Sequence, residues 1–90
     1  MSSKPVTFTH HARKKFTDLA ELGFVVTEPQ VIETVLSPDS VDRVAEPPIA
    51  QKQISQRHIL RVVFFEEAES IRVITFYPAR RSRYDTEISL

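Results

Sequence analysis

Apolar residues recur along this chain with two different periods. Ala12, Phe16, Leu19 and Ala20 fall on one stripe of a 3.6-residue repeat, which predicts an amphipathic helix over residues 10–22. Thr9 is its expected N-cap, and Gly23 its expected C-terminal stop. A second helix is predicted from Thr27 to Leu36, with Val31, Ile32, Val35 and Leu36 as its buried stripe. Thr27 and Gln30 have the spacing of a capping box, and Val26 and Val31 that of a hydrophobic staple. Pro29 lies in the first turn, and Ser37-Pro38 ends the helix.

The remaining segments read as strands. Pro5 to Thr9 alternates ahead of the first helix. After the second come Ser40 to Glu46, Ile49 to Gln56, Arg57 to Phe65 and Ile71 to Tyr77. Pro47-Pro48 and the charged stretch Glu66 to Ser70 supply breaks. This order predicts an α+β fold, with two N-terminal helices packed on one face of a four- or five-stranded antiparallel sheet.

In the last hairpin, the expected register sets Phe65 opposite Ile71, Val63 opposite Val73, Arg61 opposite Thr75 and Ile59 opposite Tyr77. One face then carries Leu60, Val62, Phe64, Ile74 and Phe76 and belongs beneath the helices. The other mixes Arg61, Thr75 and Tyr77 with aliphatics and reads as half open. A slip of one residue would exchange the two faces.

Ninety residues, 41% of them hydrophobic and 27% charged, suit one globular domain over 1–90, with an ordered core over 5–84 and residues 85–90 as a flexible tail. Without cysteine there is no disulfide framework and no thiolate metal site. The single glycine argues against a glycine-rich phosphate loop. No apolar run approaches the roughly 20 residues of a membrane span, and the first residues lack the apolar core of a signal peptide. The expectation is a soluble, cytoplasmic protein with no membrane partner.

Formal charge is zero, but the signs are segregated. Residues 1–15 hold Lys4, Arg13, Lys14 and Lys15 without an acid. Residues 16–46 hold seven acids against Arg43, and residues 70–83 hold Arg72, Arg80, Arg81 and Arg83 without an acid. If the chain ends meet, one face is basic and another acidic.

Arg80, Arg81, Arg83 and Tyr84 make the strongest chemical cluster. Guanidinium forks grip phosphate at two points, and aromatic rings stack on unpaired bases. The competing reading is a solvated C-terminal segment. Arg61 within a strong strand is a second anion-binding candidate, or else a surface arginine, or one paired with an acid on a neighbouring strand. Tyr77 is a stacking ring or a rim aromatic. His10 opens a helix, where a neutral imidazole beside an anion could accept a proton; the plainer reading is a histidine that caps, packs or faces solvent. Adjacent His10 and His11 point apart and no histidine pair has i, i+4 spacing, so neither a metal nor another cofactor is expected.

Phe8-Thr-His-His-Ala-Arg13 entering a helix resembles the opening of the small bacterial proteins grouped as domain of unknown function 4258. The helix ending Leu36-Ser-Pro38, the segment Leu60-Arg-Val-Val63 and the segment Val73-Ile-Thr75 are similar to later parts of those proteins. Ile74 to Arg81 with Tyr84 also resembles the end of BrnT-type toxins, and both groups are similar to the RelE/ParE toxin superfold. The resemblance covers most of residues 6–84. It implies metal-independent RNA cleavage by attack of a ribose 2′-hydroxyl on the adjacent phosphate, in a toxin neutralised by an antitoxin protein. On that reading Arg81, Arg61, His10 and Tyr84 are the catalytic candidates, and Arg80, Arg83, Tyr77 and Arg13 contact the RNA. ParE-like members are not nucleases. A non-catalytic nucleic-acid-binding module and a protein-interaction module are therefore the alternatives.

Overall fold

The computed structural model describes residues 4–81. Strand β1 (Val6–Phe8) leads into helix α1 (His10–Glu21) and helix α2 (Glu28–Leu36). Strands β2 (Ser40–Asp42), β3 (Ile49–Gln53), β4 (His58–Glu66) and β5 (Ile71–Arg80) come after them. The five strands form one sheet in the order β1-β5-β4-β3-β2.

Local chemistry sets the helix ends. Thr9 accepts from the Ala12 amide and caps α1. Gly23 has φ +86°, a left-handed conformation that glycine adopts without strain. It lets the Gly23 amide reach Ala20 and the Phe24 amide reach Leu19, both at 2.9 Å, which satisfies carbonyls the helix would otherwise leave unpaired. In α2 the expected capping box is present, with Thr27 and Gln30 bonded reciprocally. Val26 and Val31 are both buried, as a staple requires.

Ala12 and Leu19 of α1, Val31 and Val35 of α2, and Leu60, Val62, Phe64, Ile71, Val73 and Phe76 of the sheet share one hydrophobic cluster. The Phe16 and Phe76 rings lie 4.7 Å apart within it. Contacts run from α1 to β5 and β1, and from α2 to β4 and β3. Buried Thr34 is satisfied by its own helix, its hydroxyl donating to the Gln30 carbonyl at 2.7 Å. Ala20 and Leu36, expected in the buried stripes, are exposed.

The sheet is mixed rather than purely antiparallel, because β1 runs parallel to β5. Hairpin turns force neighbours antiparallel, as between β2, β3, β4 and β5. No hairpin joins β1 to β5, and the helical crossover after β1 permits the parallel pairing.

The last hairpin differs in register from the sequence expectation. Glu66 pairs with Ile71 and Phe64 with Val73; a bulge then inserts Ile74, so that Val63 pairs with Thr75, Val62 with Phe76 and Arg61 with Tyr77. The four-residue turn, closed by the Glu67 amide on the Ser70 carbonyl at 2.8 Å, accounts for the first shift. The bulge adds the second. As a result Ile71, Val73 and Phe76 all reach the core despite their odd spacing, and Ile74 is only half-buried.

Strands β2 and β3 stop short of the segments expected from sequence, because polar side chains divert the backbone. Asp42 accepts from the Val44 and Ala45 amides and ends β2. Ser55 accepts from the Arg57 and His58 amides and turns the chain into β4. By contrast, β5 runs three residues beyond Tyr77, through Pro78. The Arg81 amide donates to the Arg57 carbonyl at 2.7 Å, so every second residue bonds to β4 and Pro78 falls on the alternate edge. That edge is paired with β1 only from Ile71 to Val73.

A candidate anion-binding face on the sheet

Leu60 and Val62 of β4 are buried in the core cluster, so Arg61 between them projects from the opposite face of the sheet. The register sets Gln51 of β3 on one side of Arg61 and Tyr77 of β5 on the other. The side chains meet as that row implies. Arg61 Nε donates to the Tyr77 hydroxyl at 2.9 Å, and Arg61 Nη1 donates to Gln51 Oε1 at 2.6 Å. The guanidinium carbon lies 5.8 Å from the centre of the Tyr77 ring. Arg61 is half-buried, so the cation is held at the sheet surface between two strands instead of extending freely into solvent. Ile49, Val63 and Thr75 form the next row, with Phe65 beyond it 55% exposed.

A second group of cations gathers where β5 ends. Arg80 pairs with His58, and Arg81 comes next, beside Arg57; all three arginines are exposed. Arg81 Nη1 also reaches the Gln56 carbonyl at 3.4 Å. The His58 ring meets Phe24 edge-on at 4.9 Å. Its Nδ1 lies 3.4 Å from the Ser55 hydroxyl.

The other sequence candidates are placed differently. His10 is exposed at the start of α1, next to Thr9, whose hydroxyl binds the Ile74 carbonyl. Arg80 lies six residues farther along β5 than Ile74, about 20 Å of strand at the usual rise of about 3.3 Å per residue. The fold thus brings Arg61 to Tyr77 and places Arg80 and Arg81 together at the end of β5, far along the strand from the start of α1. Arg13 is held by Glu28 at 3.0 Å and stacks over the Phe8 ring at 5.0 Å, joining α1 to the start of α2. Arg83 and Tyr84 lie outside the described residues.

Gln51 escaped the sequence reading. An alternating Ile49-Ala-Gln-Lys-Gln53 segment does set Gln51 opposite buried Ala50 in facing, but only the pairing of three strands reveals its contact with Arg61. Charge at the far end of the same hairpin is structural. The Ser70 hydroxyl, and after it the Arg72 guanidinium, holds the Glu67 carboxyl below its ordinary value. Lys4 ties the same turn to the N-terminal segment through Glu66 and the Glu67 carbonyl.

Among the described residues, no cluster of three or more His, Asp or Glu side chains is placed to hold a metal ion, and no helix is long and apolar enough to cross a membrane. No family model, curated protein or solved structure matches the chain.

Proposed function

We propose that this protein binds single-stranded RNA across the Arg61 face and cleaves it as a metal-independent endoribonuclease toxin of RelE/ParE-like architecture, with the helices covering the other face of the sheet. The observation that carries the reading is the contact of Arg61 with Tyr77 on a sheet face turned away from the core. A cation and a phenol at one point combine a phosphate-binding group with a ring for stacking and a hydroxyl for proton transfer.

In the proposed reaction the ribose 2′-oxygen attacks the adjacent phosphorus and forms a new O–P bond. The bond from phosphorus to the 5′-oxygen breaks. A base takes the 2′-hydroxyl proton, and an acid gives one to the departing 5′-oxygen, leaving a 2′,3′-cyclic phosphate and a 5′-hydroxyl. Arg61 stabilises charge on the phosphorane, and Arg80 and Arg81 grip phosphates farther along the strand. Tyr77 accepts a hydrogen bond from Arg61, so its own proton can be directed to the 5′-oxygen. His10 and Tyr84 are the sequence candidates for proton transfer or base stacking. An antitoxin protein would restrain this activity in a bacterial cytoplasm.

The contact of Arg61 with Tyr77 equally supports one alternative, RNA binding without cleavage, because a cation and a ring suffice for binding. Incubating purified protein with single-stranded RNA in excess chelator separates the two. Cyclic-phosphate ends produced by the wild type and lost in Arg61→Ala support cleavage. Binding lost in Arg61→Ala, with no new ends in the wild type, supports the binding module.

A further inference from the structure

We infer that Phe65 is a second base-stacking platform on the sheet face turned away from the helices, receiving an unpaired base of the same single-stranded RNA that meets Tyr77. This rests on the proposal that RNA lies across that face. Phe64 of β4 is buried in the core cluster, so Phe65 projects to the opposite side, in line with Val63. Tyr77 is on the same side, in the row of Arg61. Phe65 follows that row by four residues of β4, about 13 Å at a rise of about 3.3 Å per residue. At roughly 3.4 Å per stacked nucleotide, about four nucleotides cover that distance, and fewer do so in an extended strand. One short strand therefore reaches both rings.

Phe65 contributes little to the packing of the fold. It is 55% exposed and lies outside the core cluster. Among the described residues no other ring and no guanidinium stacks on it. Its cross-strand partner Arg72 is drawn to Glu67 in the adjoining turn. A phenylalanine ring offers water no polar tip, unlike Tyr77, whose hydroxyl meets Arg61. The neighbouring rows on this face, with Ile49, Val63 and Thr75 and then Gln51, Arg61 and Tyr77, contain no acid. Asp42, opposite Ile49 on β2, accepts from the amides of Val44 and Ala45. A bare ring beside rows without a carboxylate suits a nucleobase, which stacks on its flat face and brings phosphates along with it.

The chain holds no tryptophan, so Phe65→Trp places a single fluorescent reporter at the site and keeps an aromatic face. Phe65→Leu keeps an apolar side chain and removes that face. Both variants of the full chain are titrated, beside the wild type and Tyr77→Ala, with a labelled single-stranded RNA of about eight nucleotides, within the usual span of one such binding surface. Titrations are repeated over a range of salt concentrations, and thermal unfolding is recorded in parallel. Phe65→Leu is expected to weaken binding about tenfold, the scale of one base stacked on one ring. Its slope of log affinity against log salt should match the wild type, because no phosphate contact is removed. Phe65→Trp should bind at least as tightly as the wild type, and its emission should be quenched as RNA saturates it. Inorganic polyphosphate, which offers charge without bases, should leave that emission unchanged. Unfolding midpoints of both variants should stay at the wild-type value, as expected of an exposed position.

If Phe65→Leu binds RNA as the wild type does while Tyr77→Ala weakens binding, Phe65 stacks no base; the inference is overturned and the RNA reading stands. Emission of Phe65→Trp that saturating RNA leaves unmoved overturns it as well. Equal losses of affinity in Phe65→Leu and Phe65→Trp, with lowered unfolding midpoints, mark the ring as structural only and have the same consequence. If the wild type binds no RNA, both readings fail.

Discussion

The Thr9 hydroxyl donates to the Ile74 carbonyl at 2.9 Å and accepts from the Ala12 amide at 3.0 Å. One side chain thus caps α1 and holds the bulged residue of β5. The bulge sets the register of everything C-terminal to it, including the meeting of Tyr77 with Arg61. The start of the first helix and the geometry of the candidate site are therefore coupled across 65 residues of sequence.

Thr9→Ala is expected to cost about 1–2 kcal/mol, because it removes a cap and leaves the Ile74 carbonyl without its donor. Thr9→Ser keeps the hydroxyl and should retain most of that stability. Urea unfolding of the three proteins measures the difference. Equal midpoints for Thr9→Ala and the wild type would contradict the coupling.

Phe76 is fully buried against Phe16, and reaches the core only because the bulge corrects its facing. Truncation to alanine should cost about 3–5 kcal/mol. Deleting Ile74 should be at least as damaging, since it would turn Phe76 and the residues after it to the other face. Thermal unfolding with near-ultraviolet circular dichroism would register either loss of packing.

Arg13 offers a contrast among the arginines. Its pair with Glu28 is exposed on both sides and its stacking on Phe8 adds a modest attraction. Arg13→Ala should therefore lower stability by about 1 kcal/mol or less, with a smaller effect in high salt. Comparing urea midpoints at low and high ionic strength checks this.

The Glu67 carboxyl is held below its ordinary value by the Ser70 hydroxyl and then by Arg72. A carboxyl whose folded value lies below its unfolded one stabilises the protein fully above the unfolded value, about 4.3 for glutamate. That contribution fades as pH falls from there through the lower, folded value. Glu67→Gln should consequently be less stable than the wild type at pH 7, and the gap should close in acid. Unfolding midpoints recorded from pH 7 down to pH 3 provide the test, and a gap that widens in acid would refute the assignment.

Much of this architecture can be read locally. Thr9 before a helical stripe, the Thr27–Gln30 box and Gly23 after Leu22 each carry their structural consequence within a few residues. Strands β4 and β5 are likewise marked by apolar runs rich in β-branched residues. Pairing is not local. Nothing adjacent to Ile74 signals a bulge, whose donor is Thr9, and nothing adjacent to Val6 indicates a parallel partner in β5. The candidate site divides in the same way. Arg61, Tyr77, Arg80 and Arg81 are conspicuous by residue type, whereas the partnership of Arg61 with Tyr77 and Gln51 depends on register. Asp42 and Ser55 cut two strands short through side-chain bonds to backbone amides, a competition that apolar alternation does not display.

RNA from bacteria induced to express the protein offers the most direct test of the proposed cleavage. New 5′ ends would be mapped by primer extension beside Arg61→Ala and Arg81→Ala, with folding of each protein verified by its unfolding transition. Both substitutions are at positions outside the apolar cluster, and Arg81 is exposed, so folded protein is expected in each case. The account predicts discrete new ends with the wild type that disappear with Arg61→Ala and diminish with Arg81→Ala. An absence of new ends in cells holding folded wild-type protein, or ends that persist unchanged in both variants, would contradict it.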